Sequence, residues 1–402
     1  MTIAPGEATE PESPRVQRGA RVPDAPSVSI IVLVTTSTDR LQRCLASMDA
    51  GLEGGPVAEI IVLANGTAPE ALKPIAGRDD IVLIRSAVNH GFGGGCNWAA
   101  RFACGARLVF INDDAVADAG WLAALDSAMS EDARVGVVGG RVLLESGRLQ
   151  EAGNVVWRDG STSHIGRGFP ADHQPLLARR DVDYVSFCSA MIRRETWVQV
   201  GGFDERYFPA YYEDADLCLS ARALGWRVVC EPASVVLHDE GASTPVALRH
   251  FLSARNQGLF VTKWRSTLAE YDERPKHVTP DAVMQAAAHT PVQAVAAAGM
   301  HEHAPDAATP ISRARRKPRN HAGSPPGEAD RLGLEARHLA ADVALKEEYA
   351  VHLEAQLEAF GVAALLRKRY VATRRALGVQ VRGHPRVARV VKRLRPRLGE
   401  RE

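Results

Sequence analysis

Polar and apolar positions follow two alternating periods along most of the chain. Residues 27–35, SVSIIVLVT, form an almost unbroken β-branched run, the pattern of a parallel strand covered on both faces. Residues 41–51, LQRCLASMDAG, change to a helical spacing that ends at Gly51. Apolar runs return at 58–66, 80–86 and 107–114, and FGGGCNWAARFAC (92–104) reads as a glycine-rich turn running into a helix. Further strands are expected at 135–144, around 180–194 and at 234–241, with an irregular insert among them. This alternation predicts an α/β domain over 27–265, with a mostly parallel, Rossmann-like sheet flanked by helices.

Outside that span the pattern changes. Residues 1–26 are rich in Pro, Glu and Ala and are expected to form a disordered arm. Residues 266–330 turn to Ala, Pro, His, Arg and Ser and read as a largely disordered linker. Residues 331–402 read as a helical, basic C-terminal extension. Its apolar stripe is Leu339, Val343, Ala350, Leu353, Leu357, Phe360 and Ala364. Residues 361–402 carry thirteen Lys/Arg against two acids, so the net charge of +1 over 402 residues conceals a basic tail and an acidic remainder. The hydrophobic and charged fractions, 46% and 24%, are those of an ordinary globular protein.

The six cysteines (Cys44, Cys96, Cys104, Cys188, Cys218 and Cys230) show neither CxxC nor zinc-finger spacing. Most fall in apolar segments, which predicts reduced core thiols. The N-terminal MTIAPGEATEPESP lacks the basic and apolar regions of a secretory signal. No apolar run reaches the roughly 18–20 residues of a membrane span. The expectation is a cytoplasmic protein.

Candidate chemistry gathers where the carboxyl ends of the strands should lie, the ligand-binding edge of an open parallel sheet. Asn65 follows the second strand, Asn112-Asp113-Asp114 the fourth and His238-Asp239 the last. Crowded carboxylates are costly unless a cation holds them. Oxygen ligands suit Mg²⁺ or Mn²⁺, and a nearby histidine tilts the choice towards Mn²⁺. Taken alone, Asn112–Asp114 serves equally well as a turn and helix cap. The stretch NHGFGGGCNWAA (89–100) would let backbone amides approach a phosphate or sugar. Cys96 stands in place of the third glycine of a dinucleotide fingerprint, however, and the Gly-Lys-Ser/Thr of a P-loop is missing. A tight turn with no ligand is the alternative. Glu213-Asp214 follows the aromatic GGFDERYFPAYY and opens a helix. Acids there either face the positive helix end or act as a general base.

As an ordered series, these segments resemble the GT-A glycosyltransferases of family 2, the bacterial polysaccharide and rhamnosyl-type transferases. The resemblance covers about residues 27–262. It is carried by VSIIVLVTTSTDRLQRCLASM, EIIVLANGT, NHGFGGGCNWAA, LVFINDDAVADAGWLAAL, GGFDERYFPAYYEDADLCLSARALGWRV and VVLHDEGAS. It implies inverting, metal-dependent transfer from a nucleotide-diphospho-sugar to a glycan or lipid-linked acceptor in cell-surface polysaccharide synthesis. By the same resemblance Asp214 is the catalytic base, supported by Glu213, and Asp114 and His238 hold Mg²⁺ or Mn²⁺. Thr35, Asn65, Asn89, Gly91, Phe92, Gly93, Gly94, Asn97, Asn112 and Asp113 would lie on the nucleotide and sugar. Arg255 and Asn256 would lie near the diphosphate or acceptor, and Asp216 is expected only as a helix acid. The chain departs from the family pattern at Leu33-Val34-Thr35-Thr36 (Pro-x-Tyr-Asn in the family), at Ala64 (Asp) and at Asn112 (the first acid of Asp-x-Asp).

Two other classes compete. A nucleotidyltransferase would want a glycine-rich basic loop after the first strand, which VTTSTDRLQ lacks. A non-catalytic nucleotide- or sugar-binding module with a degenerate site finds support in Ala64 and Asn112, and opposition in Glu213-Asp214 and His238. Residues 365–398 interleave Arg/Lys with Val387, Val390, Val391, Leu394 and Leu398, as a segment lying on an anionic membrane surface would. That would place the enzyme on the inner face of the plasma membrane. A solvated helix packed on the domain or on another subunit fits equally. Nucleic acid is disfavoured, since Tyr370 is the sole aromatic there.

Overall fold

The computed structural model describes residues 16–36, 38–52, 54–239, 244–288 and 328–359. The first half of the chain gives β1 (Val16–Arg18), β2 (Val28–Val34), α1 (Thr38–Gly51), β3 (Ala58–Asn65), β4 (Ile81–Ser86), α2 (Gly91–Ala100), β5 (Arg107–Asn112), β6 (Ala115–Ala117), α3 (Trp121–Glu131) and β7 (Val135–Leu143). Four short strands follow: β8 (Leu149–Glu151), β9 (Asn154–Val156), β10 (Thr162–His164) and β11 (Arg180–Asp181). The remainder is β12 (Ser189–Arg193), α4 (Arg194–Val200), α5 (Glu213–Ala223), β13 (Arg227–His238), α6 (Val246–Leu268), α7 (Pro280–Ala288) and α8 (Glu328–Ala359).

The main sheet runs β1-β4-β3-β2-β5-β12-β7-β13-β11, with β6 on β13 and β8 on β7. Strands β4, β3, β2 and β5 are mutually parallel, as are β7 and β13, while β12 is antiparallel to both of its neighbours. The side-chain period of two explains why the central strands read as continuous apolar runs. Ile30, Val32 and Val34 pack on one face with Leu41, Leu45 and Met48 of α1 and Trp121 and Leu125 of α3. Ile31, Ile61 and Leu63 pack on the other with Cys96 and Ala99 of α2 and Leu217 of α5. Each fully buried aliphatic side chain contributes about 1.5–3 kcal/mol, so both faces of the sheet are strongly held.

Register sets up the functional edge. Val34 of β2 lies level with Ala64 of β3, Leu33 with Asn112 of β5, and Asn65 with Ser86 of β4. The link from β5 to β6 is just Asp113-Asp114. Because Ala115 pairs with His238 at the end of β13, that histidine is carried beside Asp114.

Three expectations are corrected. The arm expected to be disordered over 1–26 is ordered from residue 16, because β1 extends the sheet antiparallel to β4. There Arg18 reaches the buried Glu59 at 3.4 Å, and Val22 enters the core. The linker expected from 266 begins later, because Leu268, Tyr271 and Val283 are buried and α7 packs against β9. Helix α8 docks through Leu334, His338, Ala341 and Leu345 instead of the stripe beginning at Leu339. Leu345 joins Phe208 and Leu252 in a small cluster, and His338 stacks on Phe208. Five of the cysteines are buried and Cys104 is exposed. No helix among the described residues is long and apolar enough to cross a membrane. The basic stretch 365–398 lies outside the described residues.

Candidate active site

A cavity of about 820 Å³ opens at the carboxyl edge of the sheet. Thr35, Asn65, Asn89, Gly91, Phe92, Asn112, Asp113, Asp114, Glu213, Asp214 and His238 all line it, so the topology brings most of the sequence-predicted residues together.

On one side lies the glycine loop. Asn65 donates through Nδ2 to the Gly91 carbonyl at 3.0 Å and to Asn89 Oδ1 at 3.1 Å, and its Oδ1 accepts from the His90 amide at 2.8 Å. Its amide therefore shapes the loop from behind. Gly91 has φ +68°, and a Cβ there would stand 2.7 Å from the Pro209 carbonyl oxygen, so glycine is required by both conformation and space. Gly93, Gly94 and Asn97 do not line the cavity, which corrects their expected place on the sugar nucleotide. Cβ atoms at Gly93 and Gly94 would meet Phe203 and the His338 ring. Asn97 is spent on Phe203 and Glu205, with Nδ2 donating to the Phe203 carbonyl at 2.9 Å and Oδ1 accepting from its amide at 2.8 Å. Ala64 is buried in the core beneath the edge.

At the floor stand Asp113, Asp114 and His238. The Nδ1 of His238 faces Gln150 Oε1 at 3.0 Å, so Nδ1 carries the proton and Nε2 presents its lone pair. Asn112 Nδ2 stands 3.3 Å from that nitrogen and can donate to it, and Asp114 Oδ1, a buried oxygen with no hydrogen-bond partner, stands at the same distance. Two electron-rich atoms facing each other suit a shared cation. No group of three or more His, Cys, Asp or Glu side chains able to hold a metal comes together among the described residues. Asp114 and His238 would supply two ligands to a divalent ion, leaving the rest of its shell to substrate phosphate and water, the usual habit of Mg²⁺-type sites. Burial and the neighbouring Asp114 charge push the Asp113 carboxyl up to about 7.

Helix α5 begins with Glu213-Asp214, and the turn before it lies against the glycine loop, where the Phe92 amide donates to the Pro209 carbonyl at 2.7 Å. The entering chain is strained: Tyr211 and Tyr212 take φ of 80° and 75°, values that non-glycine residues rarely adopt. Asn256 of α6 holds this turn. Its Nδ2 donates to the carbonyls of Tyr207, Ala210 and Tyr211 at 3.0, 2.9 and 2.9 Å. Arg255 reaches away to Glu348 of α8 at 2.7 Å. Neither residue lines the cavity, which corrects their expected position at the diphosphate or acceptor. Asp216, expected as a helix acid only, is a buried anchor that accepts from Lys263 Nζ and Trp264 Nε1, both at 2.7 Å.

Burial, followed by the Asp214 charge, pushes Glu213 well above its ordinary range, and its Oε2 is buried without a hydrogen-bond partner. Asp214 is half-buried and is pushed up to about 7, first by burial and then by the Glu151 charge. A carboxylate with that affinity for a proton suits general-base work near neutrality. The sequence reading missed Gln150, Glu151, Thr162, His164 and Arg167 of the irregular insert, and Arg249 of α6, all on the cavity wall.

The carboxyl edge of the α/β sheet thus gathers an acidic turn, a strand-end histidine and the carboxylates that open α5 in one cavity. Residues 29–196 match the family described as glycosyl transferase family 2. Among its relatives is the O-antigen biosynthesis protein RfbC of Myxococcus xanthus, 34% identical over 59% of this chain and 19% of that protein. Another is the N-acetylglucosaminyl-diphospho-decaprenol L-rhamnosyltransferase of Mycobacterium tuberculosis, 27% identical over 58% of this chain and 82% of that protein. Thus the chain spans only about a fifth of the first relative's length. A crystal structure of GalNAc-T7 with UDP, GalNAc and Mn²⁺ shares the fold at TM-score 0.50 and 15% identity, covering 61% of this chain and 50% of that one.

Proposed function

We propose that the chain is an inverting glycosyltransferase. It moves a hexosyl or deoxyhexosyl unit from a nucleotide-diphospho-sugar to a glycan or lipid-linked acceptor in cell-surface polysaccharide synthesis. The observation that carries the reading is that Asp214 lines the same cavity as the Asp114–His238 pair. In this reading Asp214 would take the proton, and Asp114 and His238 would serve the departing diphosphate.

In the reaction, Asp214 accepts the acceptor hydroxyl proton as that oxygen attacks the anomeric carbon. The bond from that carbon to the diphosphate oxygen breaks on the opposite face, and its electron pair leaves with the diphosphate. A single displacement with one base inverts the anomeric centre. Asp114 and His238 would hold Mg²⁺ or Mn²⁺, which when bound supplies charge neutralisation to the leaving group. Gln150 keeps the His238 lone pair turned towards Asp114. The glycine loop with Thr35 would take the nucleotide side. Burial works against a charge on Glu213 and so limits the negative charge beside Asp214.

The names of the relatives favour polysaccharide assembly, and that of the mycobacterial protein favours a diphospho-lipid-linked acceptor. A peripheral site at the inner face of the plasma membrane accords with the basic sequence of 365–398. The test of the donor site is a thermal-shift series with UDP, dTDP, GDP and CDP, each with and without Mn²⁺. One nucleotide should raise the melting temperature only with the metal, and His238→Ala should remove that dependence. No shift with any nucleotide would overturn the reading.

A further inference from the structure

Helix α8 places one polar side chain behind the segments that line the cavity. His338 is buried against the glycine loop and the turn that precedes α5. Its Nδ1 stands 2.6 Å from Nδ1 of the buried His90. Two bare nitrogens, or two N–H groups, would repel at that distance, so the contact holds one proton. On the other side of the ring, Nε2 faces Glu205 Oε2 at 3.2 Å and donates to it. His90 is itself held from behind, its Nε2 meeting Ser86 Oγ at 2.7 Å. The His338 ring also stacks on Phe208, with centroids 6.2 Å apart and planes 12° from parallel. A buried run of polar partners in which each contact fixes the next is expensive to break at any one member.

Both segments that His338 joins belong to the cavity. His90 lies between Asn89 and Gly91, and Phe208 precedes Pro209; Asn89, Gly91 and Pro209 all line it. The glycine run is shaped in part by this ring, since a Cβ at Gly94 would stand 2.7 Å from His338 Nε2. Gly94 is thus explained by a side chain of α8 and not by a ligand. We infer that His338 is a positioning residue for the donor: by tying His90 to Glu205 and Phe208 it holds the Asn89–Gly91 segment in the shape that takes a nucleoside diphosphate. This inference rests on the glycosyltransferase reading, in which the glycine loop takes the nucleotide side, and deepens it by making α8 part of the donor site.

The test uses the full chain and titration calorimetry with UDP, dTDP, GDP and CDP in Mn²⁺. Each variant is measured well below its melting temperature, so that lost stability does not enter the Kd. His338→Phe keeps a ring against Phe208 and deletes the bond to His90. It should raise the Kd of the nucleotide that binds by about tenfold, the worth of one buried hydrogen bond. His338→Asn, whose amide can take the Nδ1 position and meet His90, should recover much of the loss although it gives up the stack. Gly94→Ala should weaken binding by displacing the ring, and should cost nothing further in the His338→Ala background, where there is no ring to displace. A Kd within twofold of wild type in His338→Phe, equal losses in His338→Phe and His338→Asn, or additive losses from Gly94→Ala and His338→Ala would each overturn the inference. A wild-type chain that binds none of the four nucleotides would instead overturn the glycosyltransferase reading, and the role of His338 with it.

Discussion

Asn256 offers the sharpest test of how the active-site turn is held. Its amide has two N–H hydrogens and shares them among three carbonyls, those of Tyr207, Ala210 and Tyr211, at 3.0, 2.9 and 2.9 Å. The side chain is fully buried, so water does not stand ready to replace it. The turn also contains Tyr211 and Tyr212 at positive φ, each costing about 1–2 kcal/mol relative to ordinary backbone. Asn256→Ala removes two donated hydrogens at about 1–1.5 kcal/mol each and leaves carbonyls unsatisfied. A loss of about 2–3 kcal/mol matches the strain the turn stores, so the turn should relax and carry Asp214 away from its position. At about 1.4 kcal/mol per tenfold, kcat should fall by about 10². Asn256→Asp should be worse, because it sets a carboxylate against the same three carbonyls. The assay is initial-rate transfer, with nucleotide-induced thermal shift as a control that should survive in the alanine variant. Wild-type kcat, within threefold, in Asn256→Ala would refute the clamp.

Two further outcomes follow from the same geometry. Because burial raises Asp214 to about 7, its proton stays on below that pH and the base is absent. The pH profile of kcat/KM should therefore rise through about 7, not through the ordinary carboxylate range near 4; a flat profile between pH 5 and 8 would contradict this. Gln150→Leu deletes the oxygen facing His238 Nδ1 and frees the ring to turn. Mn²⁺ affinity, read by activation of transfer, should weaken about 10–100-fold.

The sequence made the frame legible where one physical cause dominates. Continuous β-branched runs can be satisfied only by strands buried on both faces, so β2, β3, β4 and β5 were readable, and Asp114 follows β5 at its carboxyl end; His238 is brought beside it by the antiparallel pairing of β6 with β13. Asp214 stood out after an aromatic turn, but only the family resemblance gave it the role of base. The rest depends on contacts between distant segments. Strands β8–β10 have three residues each and no period to detect, so Gln150, Glu151 and His164 were invisible. Gly93 and Gly94 look like a phosphate cradle in one dimension, while in three they clear space for Phe203 and His338. Asn256 reads as a polar helix residue until the carbonyls of a turn 45–49 residues away surround it. The arm is ordered because β1 pairs with β4, a contact between segments more than sixty residues apart that leaves no local pattern.

The account turns on Asp214 as the base. Asp214→Asn preserves the size and the half-buried setting of the side chain but cannot take the acceptor proton. The decisive measurement is its transfer rate beside its metal-dependent nucleotide binding. The account predicts a loss of transfer of at least about 10²–10⁴-fold with the thermal shift retained. Transfer within tenfold of wild type, with binding intact, would contradict it and move the base to another group on the cavity wall.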